Sequence, residues 1–376
     1  MHGENIPRER TKKSKIIKIA IIIAAAILLL LALTAYLFIQ SYIHKLNLVI
    51  ATDKQDPVPK QITQTVILPD ETEPGGADAT EAQVKTLEDK VRENMEKNST
   101  PVMQDKDVFH ILLIGSDSRT VGEDGRSDAM ILVSINKKTK SLIATSILRD
   151  IYLSIPGIGN NRVNAAYAYG GADLLLDTLE QNLKIHVDRY ASIDFYSFME
   201  VIDALDGITL EVTQEEIPII NKYITSLNKL TGQQEEDGQL TEPGILSLNG
   251  KQALGYARNR YIGMDFERTA RQRRVLEKVF EKVKKSNLIE LNRLLNIILP
   301  QVTTNLTQGE IFSLLLKLPD YKNYEITQWS VPVEGSYSFL RIRGMDVIDM
   351  DFDKNISEIN KRIFGELPGV FCNSKE

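Results

Sequence analysis

The sequence predicts a layered α/β domain preceded by a single transmembrane helix. Three observations carry this. From about residue 108, short apolar runs that end in Gly or polar turns alternate with helical patterns. Residues 19–39 form a 21-residue run without charge, behind a basic N-terminus. The chain is acidic, at net −6, yet six arginines crowd into residues 254–274.

Residues 1–18 read as a cytoplasmic tail with Arg8, Arg10, Lys12, Lys13 and Lys15. The apolar run at 19–39 would make roughly 31 Å of helix, about the hydrocarbon thickness of a bilayer. A cleaved signal peptide would have a shorter apolar core, so an uncleaved anchor is expected. The basic flank places the N-terminus in the cytoplasm and the rest outside the cell membrane. Residues 40–106 read as an extracellular linker, rich in proline and acids at 51–80. Val84, Leu87, Val91 and Met95 mark an amphipathic helix at about 80–97, either a stalk or a strap. The main domain is expected at 107–365, with a short tail at 366–376.

Residues 109–115, 130–136 and 141–148 read as strands, the last two joined by the turn KKTK. A helix is expected after Gly170-Gly171, a strand at 187–193, a helix at 194–205 and a strand at 207–212. Residues 231–242 are a polar loop. A helix covers about 249–256. Another starts near Asp265, read as its N-cap, and passes residue 284.

Several chemistries are excluded. Cys372 is the only cysteine, so neither an intrachain disulfide nor a cysteine zinc site is possible. The four histidines have no ligand spacing, and neither a P-loop nor a GxGxxG motif is present. The 18-residue tail is too short for a DNA-binding domain, so no nucleic-acid partner is expected.

Helix-free connections make the first three strands antiparallel neighbours. The end of the first, the start of the second and the end of the third then share one rim. This gathers Asp117, Arg119, Arg126, Asp128, Arg149 and Asp150. Mixed acids and arginines at strand ends fit a metal-plus-phosphate site, and equally a rim of surface salt bridges. In the arginine-rich stretch, Arg268, Arg271 and Gln272 share a helix face, and Arg258 and Arg260 point the same way if extended. Guanidinium forks suit phosphate. A solvated basic helix would have the same composition.

The residues GSDSR (115–119), RSD (126–128), Arg149-Asp150, VNAAYAYGG (163–171), VIDALDGI (201–208), LNGKQALGYARNR and DFERTARQRR occur in the order seen in the LytR–CpsA–Psr (LCP) family. Over about residues 107–285 the chain resembles that family, and the remainder to about 365 looks like its C-terminal portion. The resemblance implies an α-β-α layered domain with a mixed central sheet. It implies a phosphotransferase that moves a secondary cell-wall polymer, teichoic acid or capsule-like glycan, from a polyprenyl-pyrophosphate carrier onto peptidoglycan as a phosphodiester. It implies Mg²⁺ (or Mn²⁺) on Asp117 and Asp128. Pyrophosphate would be held by Arg119, Arg149, Arg258, Arg260, Arg268 and Gln272, with Arg149, Asp150, Arg258 and Arg260 at the reaction centre. The lipid tail would lie in an apolar tunnel, to which the faces of 172–183 and 194–205 could contribute. Where the family has proline, this chain has Leu148. If that backbone is extended with a free N–H, Leu148→Pro should be tolerated. The proton acceptor stays open between Asp128 and Asp150. The same site would serve a pyrophosphate hydrolase. A non-enzymatic envelope regulator is a further alternative, and a lipid-glycan binding module would keep the arginines but not need Asp117 and Asp128. Nothing in the sequence specifies an oligomeric state.

Overall fold

The computed structural model describes residues 47–48, 78–96, 101–117, 125–286 and 288–366. The tail, the apolar run at 19–39, most of the linker, Arg119 and the C-terminal residues from 367 lie outside the described residues. Among the described residues no helix is long and apolar enough to cross a membrane.

Three strands start the domain: β2 (Val108–Ser116), β3 (Ser127–Asn136) and β4 (Ser141–Ile147). They are antiparallel neighbours, with Leu112 opposite Leu132 and Leu132 opposite Thr145. The turn between β3 and β4 forms because Asn136 Oδ1 accepts the backbone N–H groups of Lys138 and Thr139, both at 3.0 Å. A hairpin of β5 (Tyr152–Ile155) and β6 (Gly159–Arg162) follows. Helix α2 (Val163–Leu183) then crosses to β7 (Arg189–Asp194), which lies parallel to β2. Asp194 pairs with Ser116, so β7 ends at the same rim as β2. Helix α2 begins before Gly170-Gly171 and kinks there, with Gly171 at φ 65°, whereas the sequence suggested a start after the glycines.

Strands β10 (Thr303–Thr304) and β11 (Glu325–Val331) and the two-residue β1 (Asn47–Leu48) complete the central sheet. The sheet is mixed, in the order β1-β10-β7-β2-β3-β4-β11. Strand β11 runs parallel to β4. The ladder goes one residue beyond β4: the N–H of Leu148 donates to the carbonyl of Val331 at 3.0 Å, and Leu148 is fully buried. Leu148→Pro therefore removes a used donor, which corrects the expectation of tolerance.

Alternation sorts each strand into two faces. Leu112, Ile114, Met130 and Leu132 join Leu175 and Leu179 of α2 in the main core. Helix α1 (Glu81–Glu96) is a strap on this core: Leu87 and Val91 are buried in it, and Asn94 Nδ2 donates to the carbonyl of Asn182 at 3.0 Å. A second core lies among α3 (Phe195–Ala204), β8 (Ile208–Val212), α4 (Ile217–Thr231), α5 (Gly250–Arg258) and α6 (Met264–Lys285). The strand expected at 207–212 is β8, and it pairs with β9 (Gly244–Leu248) rather than with the central sheet. Asn249 caps α5 in a reciprocal box with Gln252.

Candidate functional site

The other face of the sheet is the floor of a cavity of about 270 Å³. Leu113, Gly115, Ala129, Ile131, Ala191 and Ile193 form the floor. A Cβ at Gly115 would stand 3.1 Å from that of Ala129, so the glycine lets these strands meet closely there. Phe195, Phe198, Val201 and Ile202 line one wall at helical spacing along α3. Arg268, Gln272, Val275, Leu276 and Val279 line another along α6. This stripe changes chemistry along its length, from guanidinium and amide near the helix start to aliphatic beyond. The steps from 268 to 279 span roughly 16 Å.

At the polar end, Arg149 Nη1 donates to Asp128 Oδ1 at 2.6 Å, and Asp128 Oδ2 lies 3.9 Å from Arg258 Nη2. Arg149 Nε is 3.5 Å from Asp150 and 4.0 Å from Asp265. Arg162 Nη1 donates to Asp150 Oδ1 at 3.0 Å. Arg258 sits over Phe195, 4.2 Å from the ring centroid, and 5.3 Å from that of Tyr223. Burial opposes ionisation of Asp128, but Arg149, Arg258 and Arg268 outweigh it and hold this carboxyl well below the usual range. Burial pushes Asp265 above the usual carboxylate value, despite Arg268 beside it, and Asp150 and Asp128 add to the shift. Burial, then repulsion from Arg149, lowers Arg268. Arg268 Nε and Gln272 Oε1 are buried without a hydrogen-bond partner, and both residues line the cavity. An unmet donor on a buried guanidinium suits an anion that arrives as ligand.

Asp128, Arg149, Arg258, Arg260, Arg268 and Gln272 all line this one cavity. Arg258 ends a helix rather than lying in a strand, so its agreement with Arg260 comes from the turn that follows α5. Arg271 departs from the expected face. It is buried away from the cavity, with Nε donating to Glu216 at 2.7 Å and Nη1 to the carbonyls of Asn259 and Ile262. Arg273 donates to the hydroxyls of Ser146 and Ser330, both at 2.8 Å. The six arginines are thus compensated partly by the protein itself. Asp265 is not the N-cap, which is Gly263; it faces Arg268 at i, i+3. Sequence reasoning missed its place in the cluster, although the spacing was the available signal. The stacking on Arg258 by Phe195 and Tyr223, and the contact of Arg162 with Asp150, had no local signal. The face of 172–183 packs into the main core and does not line the cavity, whereas that of 194–205 does.

Asp117 is buried, with Oδ1 accepting the backbone N–H of Arg126. Among the described residues no three His, Cys, Asp or Glu side chains gather in a cluster ready for a metal. Two carboxylates suffice for a cation that completes its shell with phosphate oxygens and water. Asp117 and Asp128 flank the short connection between β2 and β3, and Asp265 Oδ2 is a buried oxygen without a hydrogen-bond partner. Carboxylate oxygens are the donors a hard divalent ion takes.

A model of the LytR_cpsA_psr family matches residues 76–362.

The chain belongs to the LytR–CpsA–Psr family.

A polyisoprenyl-teichoic acid–peptidoglycan teichoic acid transferase, TagU, of Enterococcus faecalis is 35% identical over 245 residues, covering 62% of this chain and 73% of TagU. The regulatory protein MsrR of Staphylococcus aureus is 32% identical over 268 residues, 69% of this chain and 73% of MsrR. Among solved structures, the LytR–CPS2A–psr family protein YwtF (TagT) with bound octaprenyl pyrophosphate lipid superposes with a TM-score of 0.52 at 26% identity, covering 72% of this chain and 96% of that one. The LCP fold is therefore shared across most of the domain.

Proposed function

We propose that this LCP protein is a transferase that moves a teichoic-acid-like or related glycopolymer from a polyprenyl-pyrophosphate carrier onto peptidoglycan, forming a phosphodiester. The carrying observation is the single stripe of α6, where Arg268 and Gln272 give way to Val275, Leu276 and Val279 on one cavity wall. A ligand that fits such a wall has an anionic head joined to an apolar tail. TagU is named for this transfer, and the TagT structure holds a polyprenyl pyrophosphate.

In this reading Arg149, Arg258, Arg260, Arg268 and Gln272 grip the pyrophosphate; Arg119, outside the described residues, keeps only the role that the resemblance implies. Attack by a peptidoglycan hydroxyl on the glycan-side phosphorus places charge on phosphoryl oxygens, and the fixed guanidiniums stabilise it. The polyprenyl phosphate departs. Asp128, whose proton affinity the arginines lower, is a poor proton acceptor. Asp117 and Asp128 would hold Mg²⁺ or Mn²⁺, which supplies further neutralisation of phosphate charge when bound. The uncharged run at 19–39 would anchor the domain outside the membrane.

The test uses the full chain in detergent with a labelled lipid-linked glycopolymer and peptidoglycan. Label should move to peptidoglycan, stop with excess chelator and resume with Mg²⁺ or Mn²⁺. Free polymer without coupling would make the protein a hydrolase. Lipid binding with neither product would make it a binding module. Undiminished transfer in chelator would remove the metal role.

A further inference from the structure

Beyond α5 the chain turns through Asn259, Arg260, Tyr261, Ile262 and Gly263 before α6 begins. This turn is braced from below. Asn259 is fully buried, and its Oδ1 accepts the N–H of Tyr261 at 3.1 Å. Arg271 Nη1 donates to the carbonyls of Asn259 and Ile262 at 2.9 and 3.0 Å, while its Nε is held by Glu216. Yet the turn presents a large aromatic ring to solvent, since Tyr261 is 50% exposed. Lys222 of α4 lies against it, with Nζ 3.1 Å from the hydroxyl and 5.0 Å from the ring centroid. The next residue, Tyr223, donates its hydroxyl to the carbonyl of Arg258 at 3.1 Å. The exposed ring and its ammonium are thus fixed to the arginine clamp through chain neighbours on both sides.

We propose that Tyr261, with Lys222 beside it, is the platform for the first sugar of the transferred polymer. The inference deepens the transferase reading and rests on it. Its direction comes from α6. The aliphatic part of the cavity wall follows Arg268 and Gln272 towards the helix C-terminus, while Tyr261 lies beyond the N-terminal end of the same helix. A pyrophosphate held at Arg258, Arg260 and Arg268 sends its prenyl chain along the aliphatic part. The glycan bonded to the other phosphorus leaves away from that part, towards Arg260, which lines the cavity and is the chain neighbour of Tyr261. The apolar C–H face of a pyranose ring suits an aromatic face, and the ammonium suits sugar hydroxyls or a further phosphate. The brace by Arg271 lowers the entropy cost of binding there.

The experiment measures binding of two lipids to the full chain in detergent: polyprenyl pyrophosphate, and the same lipid carrying one N-acetylhexosamine. Tyr261→Ala should weaken the glycosylated lipid by roughly three- to tenfold and leave the bare lipid unchanged. Tyr261→Phe keeps the ring and should bind both lipids as the wild type does. Equal affinity of the Ala variant and the wild type for the glycosylated lipid would overturn the proposal. So would an equal loss on both lipids, which would mean that the turn merely positions Arg260. A Phe variant as weak as Ala would also overturn it, because the hydroxyl contact to Lys222 would then matter rather than the ring. If the wild type bound neither lipid, the transferase reading itself would fail, and the platform with it.

Discussion

Along β2, Leu112 and Ile114 pack against α2, while Leu113 and Gly115 floor the cavity. The two faces come from alternate residues of one strand and treat charge in opposite ways. The packed face buries His110, where desolvation, and then the charge of His186, lower its pKa to about 3. It is held neutral, with Nδ1 2.9 Å from Ser134 Oγ and its ring edge-on to Phe364. The cavity face also buries ionisable groups, but sets them in pairs, with Arg149 beside Asp128, Asp150 and Asp265, and the arginines hold Asp128 ionised. Excluding charge suits a core whose only task is cohesion. Pairing retains charge that a pyrophosphate can take over, because a guanidinium already held in place loses little freedom on binding.

The contrast is broken most severely by Arg258→Lys. A point charge cannot reproduce a fork on pyrophosphate, so transfer should fall by roughly a hundred- to a thousandfold, or about 3–4 kcal/mol in barrier. Thermal unfolding measured beside initial rates should shift little, since the cavity face contributes less to cohesion. A matched collapse of melting temperature would place Arg258 in the structural class instead.

Leu112→Ala against Leu113→Ala sharpens the same contrast within one strand. The first should cost about 3 kcal/mol by urea unfolding, as a buried core truncation does. The second, beside an existing cavity, should cost less than about 1 kcal/mol. Equal costs would mean that both faces carry the fold alike.

Leu148→Pro tests the boundary between them, where β4 leaves the sheet and Arg149 enters the site. Losing the N–H to Val331 leaves a buried carbonyl short of its donor, for a cost of about 2 kcal/mol. Unchanged stability would show that the ladder ends at Ile147.

His110 gives an effect of similar or smaller size, with a defined sign. Its folded pKa lies below the unfolded 6.5, so the unfolded chain binds more protons between that value and about 3. Stability should therefore fall as pH drops from 6.5, by about 2 kcal/mol at about pH 5. His110→Gln should flatten this part of a stability-versus-pH series. An unaltered slope in the variant would assign it to other groups.

Much of the site is legible in the amino-acid sequence. Short apolar runs at 109–115, 130–136 and 141–148, joined without helices, favour antiparallel neighbours. Chain connectivity then brings Asp128, Arg149 and Asp150 to one rim, and the order of motifs names the family. Strand period and turn length are local properties, and local properties can be read from the chain. What faces a helix is not local. Successive helix residues are about 100° apart, so Arg268 and Gln272 stay within one stripe while Arg271 falls to its flank. Only the packing of α6 between the sheet and Glu216 decides that the stripe meets a ligand and the flank meets a carboxylate. In the same way 172–183 and 194–205 are both apolar in sequence. One fills the main core and the other leaves a hollow, because the sheet face opposite each is closed in one case and open in the other.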